Sequence, residues 1–67
     1  MIAYKIDVLQ ALRDAGWSSY RIRVEHLIGQ REVQKLREGK LVSWAVLDRI
    51  CRVLQLQPGE LIEFRPE

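Results

Sequence analysis

The sequence predicts an all-α chain folded as a compact bundle of five short helices. Three observations carry that expectation. Apolar residues recur at helical spacing in successive segments, serines and glycines fall where those segments begin and end, and the connections between them are short. With 67 residues the chain makes one domain, residues 1–67, with one modest core. Domains of this size bury only about 60% of the surface their unfolded chains expose. A composition of 48% hydrophobic and 30% charged residues is globular rather than disordered.

The first helix is expected over about Ile6–Ala15, with Ile6, Leu9 and Leu12 inward and Gly16 in a left-handed terminal conformation. Ser18 is placed to cap a second helix, about Ser19–Glu25, anchored inward by Ile22. A break follows at His26–Gly29. Gly29 is a weak cap for a third helix, about Gln30–Arg37, whose inner face is Val33 and Leu36 and whose end is Gly39. Ser43 caps a fourth, about Trp44–Gln55, with Leu47, Ile50, Cys51 and Leu54 as its core stripe. Pro58 suits the first position of a fifth helix reaching about Glu63.

The two ends are open to two readings. Ile2, Tyr4 and Ile6 alternate with polar or small residues, as do Ile62 and Phe64, so the termini either pair as a small β-ribbon or fray. A single cysteine, Cys51, excludes an internal disulfide and reads as a small buried hydrophobe. The first residues lack the apolar run of a signal peptide, and no segment approaches the ~20 apolar residues of a membrane span. A cytoplasmic location is the expectation.

Charge is distributed unevenly. The net charge of +2 resolves into +3 over residues 19–40, zero over 1–18 and −1 over 41–67. The excess therefore lies where two short capped helices flank a turn, with Ile22, Ile28, Val33 and Leu36 as the apolar plug between them. Once Val33 and Leu36 are spent on packing, the outer face of the third helix carries Gln30, Arg31, Gln34, Lys35 and Arg37. Arg bonds guanine O6 and N7 together, and Gln pairs with adenine N6 and N7. A helix lying in the major groove reads bases with its N-terminal residues. Gln30 and Arg31 are thus the leading base-contacting candidates, followed by Gln34 and Lys35.

The ordered set Gly16-Trp17-Ser18, Ile22-Arg23, Val33-Gln34-Lys35-Leu36, Val42-Ser43, Leu47–Leu54 and Pro58–Phe64 resembles the Cro/CI-type, or xenobiotic-response-element, helix-turn-helix regulators. It is most similar to a short, stand-alone bacterial subgroup, and the resemblance covers about Ile6 to Phe64. It implies a five-helix, lambda-repressor-like DNA-binding domain with the helix-turn-helix at about 18–37. It also implies a transcriptional regulator of bacterial or phage cytoplasm, acting as a homodimer on double-stranded DNA without a cofactor. By position, the base contacts fall on Gln30, Arg31 and Lys35, and the phosphate contacts on Ser19, Lys40 and Ser43, with Arg37 added from the outer helix face. Three positions depart from the pattern: Leu27 stands at a turn position often held by Gly, Gly29 replaces a Ser or Thr cap, and Ser19 stands where many relatives carry Gln.

Bland readings stand beside these. Arg21, Arg23 and Arg37 can equally form surface ion pairs with Glu25, Glu32 or Glu38. Trp44, Val46 and Val53 fall partly outside the core stripe of the fourth helix: Trp44 either shields the end of the bundle or opens an apolar patch for self-association or a partner. One histidine, His26, has no spaced Cys or His companions for a metal, and no nucleophile–base arrangement or phosphate-cradling loop supports catalysis. The expectation is a binding protein, not an enzyme. The rival from another class is an antitoxin-like or anti-regulator module that keeps the fold but binds a protein partner.

Overall fold

The computed structural model describes residues 1–67, in the order β1 (Ile2–Tyr4), α1 (Val8–Asp14), α2 (Ser19–Val24), α3 (Gln30–Glu38), α4 (Trp44–Leu54), α5 (Pro58–Leu61) and β2 (Ile62–Phe64). The chain is thus mostly helical, with five helices and one small sheet. No helix is long and apolar enough to cross a membrane.

Caps set most of the boundaries. The Ser18 hydroxyl accepts from Arg21 N at 3.1 Å and the Ser43 hydroxyl from Val46 N at 3.2 Å, so each satisfies one orphan donor of the helix it opens. Gly29 caps α3 without a side-chain bond, and Gly39 closes it at φ +75°, a conformation that costs glycine little. α1 begins later than its apolar pattern suggests. Asp7 is its N-cap, accepting from Gln10 N at 3.1 Å, which leaves Ile6 outside the helix and exposed and brings Val8 into the core.

The core comprises Val8, Leu9 and Leu12 from α1, Ile22 from α2, Ile28 from the turn, Val33 and Leu36 from α3, Val46 and Ile50 from α4, and Leu61 from α5. α1 lies against both α3 and α4 and so holds the bundle together. The stripe of α4 is rotated from the predicted one. Val46 and Ile50 are buried, whereas Leu47, Cys51 and Leu54 are half-buried around the edge of the core. α4 is apolar over more than one face, so spacing alone offered two stripes that share Ile50. Cys51 is consequently a partly buried thiol, and desolvation, with the nearby charges of Asp48 and Glu60, pushes its pKa up.

The termini pair. β1 and β2 run antiparallel with Ile2 opposite Phe64, Ala3 opposite Glu63 and Tyr4 opposite Ile62. The fifth helix therefore ends at Leu61 rather than about Glu63, because Ile62 is already extended. Beyond the ladder, Lys5 N donates to Leu61 O at 2.8 Å and Arg65 N to Met1 O at 2.7 Å. The Tyr4 hydroxyl donates to Lys40 O at 2.7 Å, fastening the ribbon to the loop between α3 and α4.

Candidate nucleic-acid interface

α2, the turn and α3 form two short helices joined by a tight connection, with Ile22, Ile28, Val33 and Leu36 buried between them and α1. The turn is made by His26, at φ +55°, and Leu27, which stands where relatives often carry Gly, does not take a positive φ. Leu27 instead packs half-buried against the core. His is among the non-glycine residues that enter the left-handed region more readily, and His26 is exposed, so its side chain meets no packing demand there.

Intramolecular pairing divides the basic residues of this segment. Arg21 is committed: its guanidinium bonds Glu25 at 2.6 Å and Gly16 O at 3.2 Å and lies 4.0 Å from the Trp17 ring centre. Lys35 stands 3.7 Å from Glu32, and Lys40 stands 3.2 Å from Glu38. All three acids of residues 19–40 are thereby used. Arg23, Arg31 and Arg37 remain without a carboxylate partner, and they account for the +3 excess. Arg23 leans over Tyr20 at 5.8 Å, and Arg37 donates to Gln34 Oε1 at 2.8 Å.

The candidate base-contacting residues differ in the same respect. Gln30 and Arg31 are exposed at the N-terminus of α3, and their side chains make no hydrogen bond or ion pair within the chain. Gln34 is held at both ends, accepting from Arg37 and donating to Glu38 at 2.8 Å. Lys35 is half-buried beside Glu32. One oxygen of Glu32 is buried without a partner, and burial, with a smaller contribution from the same carboxylate, raises the pKa of the Tyr4 phenol. Glu38 is exposed, and hydrogen bonds from Gln34 and Lys40 hold its pKa below the usual carboxylate range.

The candidate phosphate-contacting residues fall into two groups. Ser19 and Arg37 line one small recess of about 40 Å³ between α1, α2 and α3, together with Gln30 and with Arg13 of α1. Lys40 and Ser43 sit on the α3–α4 loop, where the Ser43 hydroxyl already accepts from Val46 N. Arg13 was not legible as a site residue. It lies outside the basic segment, and only the crossing of α1 over α3 brings it beside Arg37. A signal existed in its place four residues after Leu9, which sets it at the edge of the core stripe of α1, yet nothing in the sequence says what that edge faces.

Two short helices with an apolar plug, and a second helix whose outer face is basic and polar, define a helix-turn-helix DNA-binding domain. The chain belongs to the Cro/C1-type HTH DNA-binding domain family, whose sequence profile matches residues 5–67. It is similar to YozG of Bacillus subtilis strain 168, described as an uncharacterized HTH-type transcriptional regulator. The two are 29% identical over 66 residues, covering 98% of this chain and 79% of YozG. No solved structure matches the chain.

Proposed function

We propose that the chain is a sequence-specific transcriptional regulator that lays α3 in the major groove of duplex DNA, using residues 18–37 as its helix-turn-helix. The observation that carries this reading is the unpaired state of Gln30 and Arg31 at the exposed start of α3. An unpaired guanidinium and amide there are available to base edges without first breaking an internal bond. Gln34 and Lys35 follow as base contacts that must exchange partners on binding. Ser19, Arg37, Lys40 and Ser43 contact phosphates, and Arg13 joins them through the recess it shares with Arg37 and Ser19. A domain this small reads few base pairs, so two copies acting on a palindrome, with half-sites about 34–36 Å apart, supply the remaining specificity.

The test is a selection from random duplex DNA followed by binding titrations across salt. A DNA reader recovers a palindromic motif and loses affinity steeply with salt as phosphate-bound counterions are released. Failure to bind any duplex at low salt, together with a stable complex with a protein, would establish the antitoxin-like or anti-regulator reading instead.

A further inference from the structure

Two arginines that no acid neutralises come together where α1 packs on α3. Arg13 donates to Gln10 Oε1 at 3.1 Å and Arg37 to Gln34 Oε1 at 2.8 Å, both uncharged acceptors on their own helices. A guanidinium carries five N–H donors, so most of each remains unused. Both side chains are exposed, and both line the small recess that also holds Ser19 and Gln30. With Leu9 they also line a larger hollow of about 420 Å³, which extends to Gly39 at the end of α3 and to Ile6 ahead of α1. Its apolar lining includes Val8, Leu9 and Leu36 of the core, and Ile6, which keeps 38% of its surface exposed.

The acids and the phenol around this hollow are already engaged. Asp7 caps α1 by accepting from Gln10 N at 3.1 Å, and the Tyr4 hydroxyl donates to Lys40 O at 2.7 Å. Glu38 is held by Lys40 at 3.2 Å and Gln34 at 2.8 Å. With Glu38 offset by Lys40, the two arginines are set against Asp7 alone, and one positive charge is left over.

We propose that this hollow binds a small organic monocarboxylate, its carboxylate held by Arg13 and Arg37 and its apolar body laid on Ile6, Val8, Leu9 and Leu36. Three features select that class of ligand. The planar fork of arginine matches a carboxylate with two parallel hydrogen bonds. The volume, and an apolar lining with a few charged groups, are those of a small-molecule site. One excess positive charge suits a monoanion, and a bare phosphate would leave the apolar lining unused. The consequence is regulatory and rests on the DNA-binding reading above, because Arg13 and Arg37 are also the cations proposed to grip a phosphate. A carboxylate seated on them competes with DNA directly and needs no change of fold to do so.

The experiment is a titration of the full chain, free of DNA, with sodium phenylacetate to about 20 mM, read by backbone amide shifts in proton–nitrogen correlation spectra. Phenylacetamide, sodium phosphate and sodium chloride at equal ionic strength are the comparisons. Phenylacetate should shift Val8, Leu36 and Gly39 and saturate with a Kd of about 1 mM, a value in keeping with a probe of about ten heavy atoms. Phenylacetamide, which has the same shape and no charge, should bind at least tenfold more weakly. Arg13→Gln and Arg37→Gln should each weaken phenylacetate at least fivefold. Both side chains are exposed, and the same spectra report whether each variant is folded. On the selected duplex, 10 mM phenylacetate should raise the Kd at least threefold beyond the effect of sodium chloride. A chain that binds phenylacetate in this way but binds no duplex refutes the DNA reading and leaves the carboxylate site standing. No saturable shift, equal binding of the amide, or indifference to both arginine substitutions overturns the proposal. So does phosphate binding as tightly as phenylacetate, which would make the hollow an anion subsite only. Duplex affinity unmoved at saturating phenylacetate overturns the regulatory consequence.

Discussion

Replacing Arg31 by Ala tests whether α3 reads bases or only contributes charge. Arg31 makes no hydrogen bond, ion pair or aromatic contact in the free chain, and its neighbour in sequence Glu32 is engaged with Lys35. Its removal therefore breaks nothing in the folded state. Alanine is at least as good a helix former, so stability should change by no more than a few tenths of a kcal/mol. On DNA, a guanidinium bidentate to guanine O6 and N7 contributes about 1–3 kcal/mol of discrimination. Nothing needs to be released before that contact forms, so the loss should fall in the upper part of this range, roughly 30–150-fold on the selected site. Lys35→Ala should cost less, because Lys35 gives up its 3.7 Å pairing with Glu32 on binding, and such surface pairs are worth about 0–1 kcal/mol. Anisotropy titrations of the selected duplex and of variants changed at each base pair, at several salt concentrations, measure both effects. The expected signature of Arg31→Ala is a large loss on the selected site and indifference to one base pair. Equal weakening on every sequence, with the salt slope reduced by about one, would make Arg31 a phosphate contact and refute the base-reading assignment.

Glu38→Ala should strengthen DNA binding about two- to fivefold, because Glu38 occupies Gln34 at 2.8 Å and Lys40 at 3.2 Å and adds a negative charge to the proposed interface; the same titrations show it. Leu12→Ala, at a site with no exposed surface, should cost about 2–5 kcal/mol. Against a total near 3–10 kcal/mol for a chain this size, that leaves a marginal or unfolded domain in a urea melt. Tyr4 should titrate above the ordinary phenol value near 10 in an absorbance titration at 295 nm, since burial and the Glu32 carboxylate raise its pKa. A raised folded-state pKa means that the folded chain holds the phenolic proton longer. The stability it carries is then full below the ordinary value near 10 and falls as pH rises from there through the folded value. Urea midpoints measured on either side of pH 10 should show that decline in the wild type, and Tyr4→Phe should flatten it.

The fold was legible wherever a boundary is made by one local device. Ser18, Ser43, Gly16 and Gly39 act within three residues of their own positions, and each sits where the sequence places it. Asp7 is of the same kind and could have been read, because Asp7 with Gln10 three residues on, ahead of the apolar pair Val8 and Leu9, has the pattern of a helix start. Ile6 obscured it by extending the apolar spacing backwards. The rotation of α4 was not legible, because its outcome depends on non-local partners. The ribbon, α1 and α5 compete for an apolar helix, and the ribbon exists only because residues from opposite ends of the chain, Ile2–Tyr4 and Ile62–Phe64, meet. A three-residue strand carries too little pattern to announce that meeting.

The site was legible as chemistry but not as availability. Composition shows six basic residues against three acids over residues 19–40, and any of the six could be the ones left over. Which three remain depends on geometry a few ångströms wide. Arg21 reaches Glu25 four residues on while also stacking on Trp17, whereas Arg37 has Gln34, not an acid, one turn back. An exposed ion pair is weak in water, so these pairings are not locks. They rank the side chains by what each must give up to meet DNA. Arg31 gives up nothing, Arg37 one hydrogen bond to an uncharged amide oxygen, and Lys35 and Lys40 each an acid. In the proposed DNA complex, the recess shared by Arg13, Ser19, Gln30 and Arg37 would bring two of the cations to one phosphate. It joins the start of α2 to the start of α3, so a phosphate held there by Arg13, Ser19 and Arg37 would fix the depth at which Gln30 and Arg31 enter the groove. Positioning and reading would be coupled in that proposed arrangement through Gln30, which lines the recess and is a candidate base reader. Weakening the phosphate grip should therefore blunt base discrimination as well as affinity.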